Sequence, residues 1–308
     1  MNIIGTIVPI FAVIAIGWAA RGRGLLPTEF LAAANRLVFY LAIPAMVFSA
    51  VARASLEIHF KPLVAAVTLG TMLAACGAAW LAAFAVGMEP RLRGAFIEDS
   101  FHGNQGYIGL AVALYFLGPE GLARASILTG FMMILNNSLS VVVLQLHAEG
   151  GVRGPGRLAA AARMAKNPVI LSALGGLLVS AAGFGLHPVL ERSLAILAGM
   201  ALPLALLIIG ASLSFELMRS RLAAVIGCSL IKLLLMPAIG LAAFLALGAA
   251  SEDFLPALIL LATPTATVAY VLARQMGADS EFAAAAISFS TLLSAFTYTG
   301  WLALGARL

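Results

Sequence analysis

Gly103-Asn104-Gln105-Gly106-Tyr107-Ile108-Gly109 falls in the middle of an apolar run at about 95–117, and its three glycines and two amides weaken any helix formed there. A shift of 159 positions leads from Gly103 to Ala262-Thr263-Pro264-Thr265-Ala266-Thr267-Val268, in the middle of another apolar run at about 254–275. Pro264 lacks a backbone donor and its ring collides with the preceding turn, so this run too is expected to break. Irregular backbone is tolerated at membrane depth only where it lines a cavity or is buried in protein. A matched pair of breaks therefore predicts one central site built from both. If the broken helices cross, each second arm aims free N–H groups and a positive dipole end at that site, which then prefers an anion.

The chain around these breaks reads as an integral membrane protein. Hydrophobic residues make up 62% of it and charged residues only 10%, with a mean hydropathy of +1.06, a balance that leaves too little polar surface for a water-soluble domain of 308 residues. A helix needs about 20 apolar residues to cross the hydrocarbon core. Ten segments fit, at about 2–20, 33–53, 62–87, 95–117, 122–147, 166–184, 190–214, 221–247, 254–275 and 282–305. The first has neither a basic leader nor a small-residue cleavage site and reads as a first span. Residues 148–165, rich in Gly and Arg, are the expected linker between a first half, 1–147, and a second, 166–308.

With the N-terminus outside, twelve basic residues fall on the cytoplasmic side (Arg21, Arg23, Arg36, Arg91, Arg93, Arg153, Arg157, Arg163, Lys166, Arg219, Arg221 and Arg274) against five on the other. The positive-inside rule therefore puts both termini outside. The basic residues are scattered between apolar runs, which excludes a nucleic-acid-binding stripe despite the net charge of +5. Cys76 and Cys228 lie in Gly-, Ala- and Leu-rich stretches and read as packing residues. No P-loop and no metal-ligand spacing occurs, since His59, His102, His147 and His187 sit on separate segments. No cofactor and no enzymatic activity are expected.

The 159-residue offset also superimposes Pro9 on Pro168, Gly17 on Gly176, Gly24 on Gly183, Pro44 on Pro203, Ser55 on Ser214, Glu57 on Glu216 and Gly118 on Gly277. Five spans per half is an odd number, so the second half must enter the membrane upside down. Inverted repeats of this kind are the architecture of many secondary transporters.

Polar groups at membrane depth supply the remaining candidates. Lys232 is far from any other charge in the chain and is read either as a fixed cation near the site or as a side chain snorkelling to the cytoplasmic face. Glu98 and His102 share a helix face four residues apart; with Asp99 they are candidates for carrying a proton or holding a cation, or else a solvated helix start. Asn136 and Asn137 point about 100° apart, so at least one is expected to face protein or cavity. Ser288, Ser290, Thr291, Ser294 and Thr297 read as small-residue helix packing.

In their order and spacing these features resemble the auxin efflux carrier family, bacterial type, within the group that also holds the bile acid sodium symporters. The resemblance rests on Lys166-Asn167-Pro168 with Gly175-Gly176, Leu202-Pro203-Leu204 with Gly210-Ala211-Ser212-Leu213, and Lys232 with Pro237. It extends to Pro264 with Leu272-Ala273 and Gly277-Ala278-Asp279, and to Ser290-Thr291-Leu292-Leu293-Ser294. It implies ten helices in two inverted repeats, crossed broken helices 4 and 9, an elevator-like motion and a homodimer in the inner membrane. The family's crossover asparagine maps to Asn104 and its crossover proline to Pro264. Many relatives have a proline shortly after the Asn-x-Gly element, where this chain has Ile108, Leu110 and Ala111.

The expected function is transport of a small organic anion, such as a mono- or dicarboxylate, by alternating access. Asn104, Gln105, Gly106, Thr263, Pro264, Thr265 and Thr267 would surround it, with Asn136, Asn137 and Lys232 in support; a proton or sodium is the candidate coupling ion. The alternatives are a sodium-coupled symporter like the bile acid branch and a membrane sensor or channel that does not cycle.

Overall fold

The computed structural model describes residues 3–54, 60–147, 166–183, 185–214 and 221–308. The expected linker 148–165, Ser55, Glu57 and Glu216 of the offset pairs, His59, and Arg219 lie outside the described residues. The described chain is all-helical: α1 (Ile3–Gly22), α2 (Thr28–Leu37), α3 (Ile43–Ala52), α4 (Pro62–Ala85), α5 (Pro90–Phe101), α6 (Leu110–Leu146), α7 (Pro168–Ala181), α8 (Pro188–Gly199), α9 (Ala201–Ala211), α10 (Leu222–Leu230), α11 (Met236–Ala246), α12 (Ser251–Leu261), α13 (Val268–Gln275) and α14 (Ser280–Gly305). Wide π-type turns at Val38–Ala42 and Ile231–Leu235 join α2 to α3 and α10 to α11, and a third, Gln105–Gly109, leads into α6.

Helix starts follow from local chemistry. Pro62, Pro90, Pro168 and Pro188 occupy the first helical position, where a missing N–H costs nothing. The Asn167 side chain accepts from Val169 N and Ile170 N at 2.9 and 3.3 Å, and Asp279 accepts from Phe282 N at 3.0 Å, satisfying otherwise orphaned donors. Asn167-Pro168, one of the stretches on which the resemblance rests, is thus a helix start.

Seven helices among the described residues are long and apolar enough to cross a membrane: Ile3–Gly22, Thr28–Ala52, Pro62–Ala85, Gln105–Leu146, Pro188–Ala211, Leu222–Ala246 and Ser280–Gly305; Pro168–Ala181 is apolar but shorter. At 1.5 Å per residue the 42 residues of Gln105–Leu146 would run about 63 Å, twice the hydrocarbon thickness. Gly118 breaks this rod, adopting φ 73° and ψ −165° before Pro119, a conformation closed to residues with a Cβ.

The helices pack as two groups. In the first, α1 lies against α9, and α3 against α7 and α8. In the second, α4 packs on α5 and α11, α12 on the long arm of α6, and α14 on α5, α10, α12 and α13. The groups meet where α6 crosses α1, α3 and α7, and where α1 touches α14. A cleft of about 490 Å³ opens along this seam, lined by Met46, Ser49, Leu114, Tyr115, Ala198 and Leu202 among others.

Candidate functional site

Both sequence-predicted breaks are present, and they meet. α5 stops at Phe101 and helix resumes at Gln105; α12 stops at Leu261 and resumes at Val268. Between them the two strands of irregular backbone form a single antiparallel bridge, Gly103 with Thr265. Asn104 N donates to Pro264 O at 2.8 Å and Ala266 N to His102 O at 2.9 Å, so each break satisfies backbone groups that the other leaves open. The break at 102–104 is complete without a proline. Its sharpness traces to Gly103: a Cβ there would collide with Thr263 Oγ1 and would lie 2.8 Å from Gln105 Nε2 and 3.0 Å from Lys232 Cε.

The threonines of the second break serve the backbone. Thr263 Oγ1 donates to Leu260 O at 2.8 Å and Thr265 Oγ1 to Asp99 O at 3.0 Å, while Thr265 N donates to Ser290 Oγ at 3.2 Å. Ser290, expected as a packing hydroxyl, here also closes one side of the junction between the two breaks. Thr267 is half-buried and precedes α13 without a side-chain cap bond. A Cβ on Gly106 would meet Met133 Cε at 3.2 Å, so Gly106 seats this turn against α6.

Two donors remain free. Asn104 Nδ2 and Gln105 Nε2 are buried without a hydrogen-bond partner, a condition that costs about 1–3 kcal/mol each unless something accepts from them. Asn136 Nδ2 donates to Gln105 Oε1 at 3.1 Å, which fixes the Gln105 amide with its Nε2 turned away from α6's asparagine. Asn137 is not brought here: its Nδ2 donates to Met133 O at 2.7 Å on its own helix. The adjacent pair thus divides, one side chain inward and one along its own turn.

Lys232 does not snorkel. It is fully buried and its Nζ donates to Leu261 O at 2.8 Å, placing its amino group on the last carbonyl of α12, where the helix dipole is negative. Nor are Glu98, Asp99 and His102 a solvated helix start: α5 begins at Pro90, not near 95, which carries all three into the packed interior. The Glu98 carboxylate is 2.6 Å from His102 Nδ1 and accepts from Ser140 Oγ at 2.9 Å. Both Asp99 oxygens are buried without a partner. Two participants carried no sequence signal: Ser140, and Asn35 of α2, whose Oδ1 accepts from Tyr107 Oη at 2.6 Å across the seam.

An apolar multi-helix chain whose polar interior gathers at two facing breaks is a multi-pass membrane protein of the transport class. The chain belongs to the family described as Membrane transport protein, the auxin efflux carrier family, whose model matches residues 2–152 and 158–302. It is 30% identical, over 98% of its own length and 95% of the other's, to a protein of Rhizobium meliloti (strain 1021) named "Putative malonate transporter". It is 24% identical to an uncharacterized transporter of Methanothermobacter thermautotrophicus, over 96% of both chains, and 24% identical to one of Methanocaldococcus jannaschii, over 95% of both.

Proposed function

We propose that this protein is a secondary transporter of a small organic anion, a mono- or dicarboxylate of the malonate or malate kind, working by alternating access. The observation that carries the reading is the pair of unpartnered amide donors, Asn104 Nδ2 and Gln105 Nε2, at the meeting point of two broken helices. A carboxylate supplies the acceptors these donors lack, and charge-assisted bonds of this kind are roughly twice as strong as neutral ones. Lys232 lies beside the same face of Gly103 and, when protonated, adds positive charge there.

In this reading the chain crosses the membrane ten times, as two inverted halves of five, with both termini outside the inner membrane and 148–165 as the cytoplasmic linker. Helix bounds support it: adding 159 to Thr28–Ala52 gives 187–211, beside the observed Pro188–Ala211, and adding it to Pro62–Ala85 gives 221–244, beside Leu222–Ala246. Gly24 and Gly183 share positive φ, as do Gly118 and Gly277. Gly17 packs on the Leu207 backbone and Gly176 on the Phe48 carbonyl, contacts related by the same offset.

The two helix groups are the two bodies of an elevator-like motion, with the second carrying the crossing. Among the described residues every ion pair stays inside one group: Arg53 with Glu191 in the first; Lys61 and Arg124 with Asp253, Glu98 with His102, and Arg221 with Asp279 in the second. Sliding the groups past each other therefore breaks no ion pair. The homodimer implied by the family resemblance belongs to this reading as well.

The test is exchange in proteoliposomes of trapped unlabelled malonate, malate or related carboxylates for labelled ones outside. Exchange that fails in Asn104→Ala is expected. Binding without exchange would instead mark a sensor, and a strict sodium requirement a symporter of the bile acid kind.

A further inference from the structure

Three acidic or basic side chains, Glu98, Asp99 and Lys232, lie at or below 1% exposure in the second helix group, and they are not equally provided for. Glu98 has His102 and Ser140; Lys232 has the Leu261 carbonyl; neither Asp99 oxygen has a partner. An ionised carboxylate so placed is among the most costly arrangements a protein interior can hold, and a neutral acid is far cheaper.

The surroundings offer no cationic partner in this state. Asp99 has Glu98 beside it on α5, a like charge whose carboxyl can hydrogen-bond Asp99 only when one of the two carries a proton, and feels Asp279, ahead of α14, as a second like charge. Asp279 is itself matched by Arg221 at 3.0 Å. From α10 comes Cys228, within electrostatic range of Asp99, Glu98 and Lys232. The other titratable or charged residues on the helices packed around α5 are Cys76 of α4, Tyr115, Glu120 and Arg124 of α6 with His147 just beyond it, Tyr270 and Arg274 of α13, and Glu281 and Tyr298 of α14. None of the described residues forms an ion pair with Asp99. Asp99 is nonetheless tied to the candidate site, since its carbonyl accepts from Thr265 Oγ1 at 3.0 Å.

Resting on the transport function above, we propose that Asp99 is the proton-carrying group of this protein and that proton and organic anion cross together. The charge balance is simple. Lys232, when protonated, is one positive charge in the moving body. When the site is loaded, one substrate carboxylate balances it and Asp99 crosses as the neutral acid, so that a dicarboxylate such as malonate carries one net negative charge across. When the site is empty, Asp99 gives its proton to water on the side of release and its carboxylate balances Lys232 for the return. Anion binding and Asp99 protonation favour each other, so substrate affinity falls as pH rises through the titration of Asp99. The Glu98–His102–Ser140 cluster ties the end of α5 to α6.

The experiment uses the full chain in proteoliposomes, with malonate as probe and the voltage clamped at zero. With the lumen one pH unit more alkaline, wild type is expected to accumulate malonate about tenfold at one proton per anion. Asp99→Asn is expected to keep exchange of trapped for labelled malonate within about twofold while its accumulation ratio falls to one. Tenfold accumulation by Asp99→Asn, or a ratio of one in wild type, overturns the proposal. Should Asp99→Asn not fold, a carbodiimide specific for protonated buried acids is applied to wild type. Labelling at Asp99 that increases with malonate supports the proposal; labelling of Glu98 with Asp99 untouched overturns it. A wild type that exchanges none of the carboxylates fails at the earlier step, the transport function itself.

Discussion

The two helix groups solve the same problem, holding apolar rods together in lipid, by different means. Of the buried polar and charged side chains among the described residues, only Thr6 and Ser49 belong to the first group, while Glu98, Asp99, Asn104, Gln105, Asn136, Lys232 and all the others belong to the second. The first is joined by close approach of backbones: a Cβ on Gly210 would collide with the Ile14 carbonyl, and one on Gly17 with the Leu207 carbonyl. Lipid offers no hydrophobic drive between helices, so small residues that let backbones touch provide the packing there. The second accepts the cost of buried polar groups, and such groups at membrane depth mark function. An apolar frame beside a polar core is the division of labour this implies, and the proposed elevator-like motion makes the core the moving body.

The same substitution placed in each group gives the largest contrast. Gly210→Ala sets a methyl against backbone that cannot move, and is expected to cost about 3 kcal/mol or more, read as loss of monodisperse protein in size-exclusion chromatography. Gly103→Ala sets it against the ends of Thr263, Gln105 and Lys232 side chains, which can shift. That variant is expected to remain folded and lose exchange. Equal stability of the two would remove the distinction between frame and core.

Within the core, Asn104→Ala deletes one of the two free donors and is expected to lower exchange about 10- to 100-fold, the equivalent of a hydrogen bond to a charged group. Asn136→Ala leaves that donor in place and frees Gln105 to rotate, with an expected loss of about tenfold in exchange and no loss of folding. Asn137→Ala is the control, expected near wild type because its amide bonds only its own turn. Initial rates of labelled malonate exchange order the three.

The same contrast explains what could be read in advance. Gly103–Gly109 and Thr263–Thr267 announced themselves because Gly and Pro disturb helices wherever they stand. The depth of Glu98 and Asp99 did not, because hydropathy places a span's start by its apolar residues, whereas the helix here begins at Pro90 and carries the polar Arg91 and Arg93 with it. Asn136 and Asn137 were indistinguishable by position, since only the neighbouring turn at Gln105 decides which is inward. The partners of Gly17 and Gly210 are set by how α1 and α9 come to lie together, which no local pattern encodes.

The smallest effect expected tests the seam itself. Tyr107, on the first turn after the break, donates to Asn35 of the frame at 2.6 Å, one of the few polar bonds joining the two groups. Tyr107 precedes Leu114 of the cleft wall by seven residues, about 10 Å along the helix. The bond ties core to frame in the arrangement that has the cleft open, and so favours it. Asn35 is exposed and Tyr107 buried, so removing the phenol oxygen leaves no acceptor stranded in the interior, and only the net worth of one neutral bond is lost. That is about 0.5–1.5 kcal/mol, a shift of about 2- to 12-fold between the two arrangements. Tyr107→Phe is thus expected to slow thiol labelling of Ala50→Cys, a position lining the cleft, by a factor in that range, against the background of buried Cys76 and Cys228. Asn35→Ala should act equally, and the double variant no further, because the two residues share a single bond. Additive effects, or labelling that does not change, would mean that Tyr107 merely packs at the seam and that the open cleft is held by apolar contact alone.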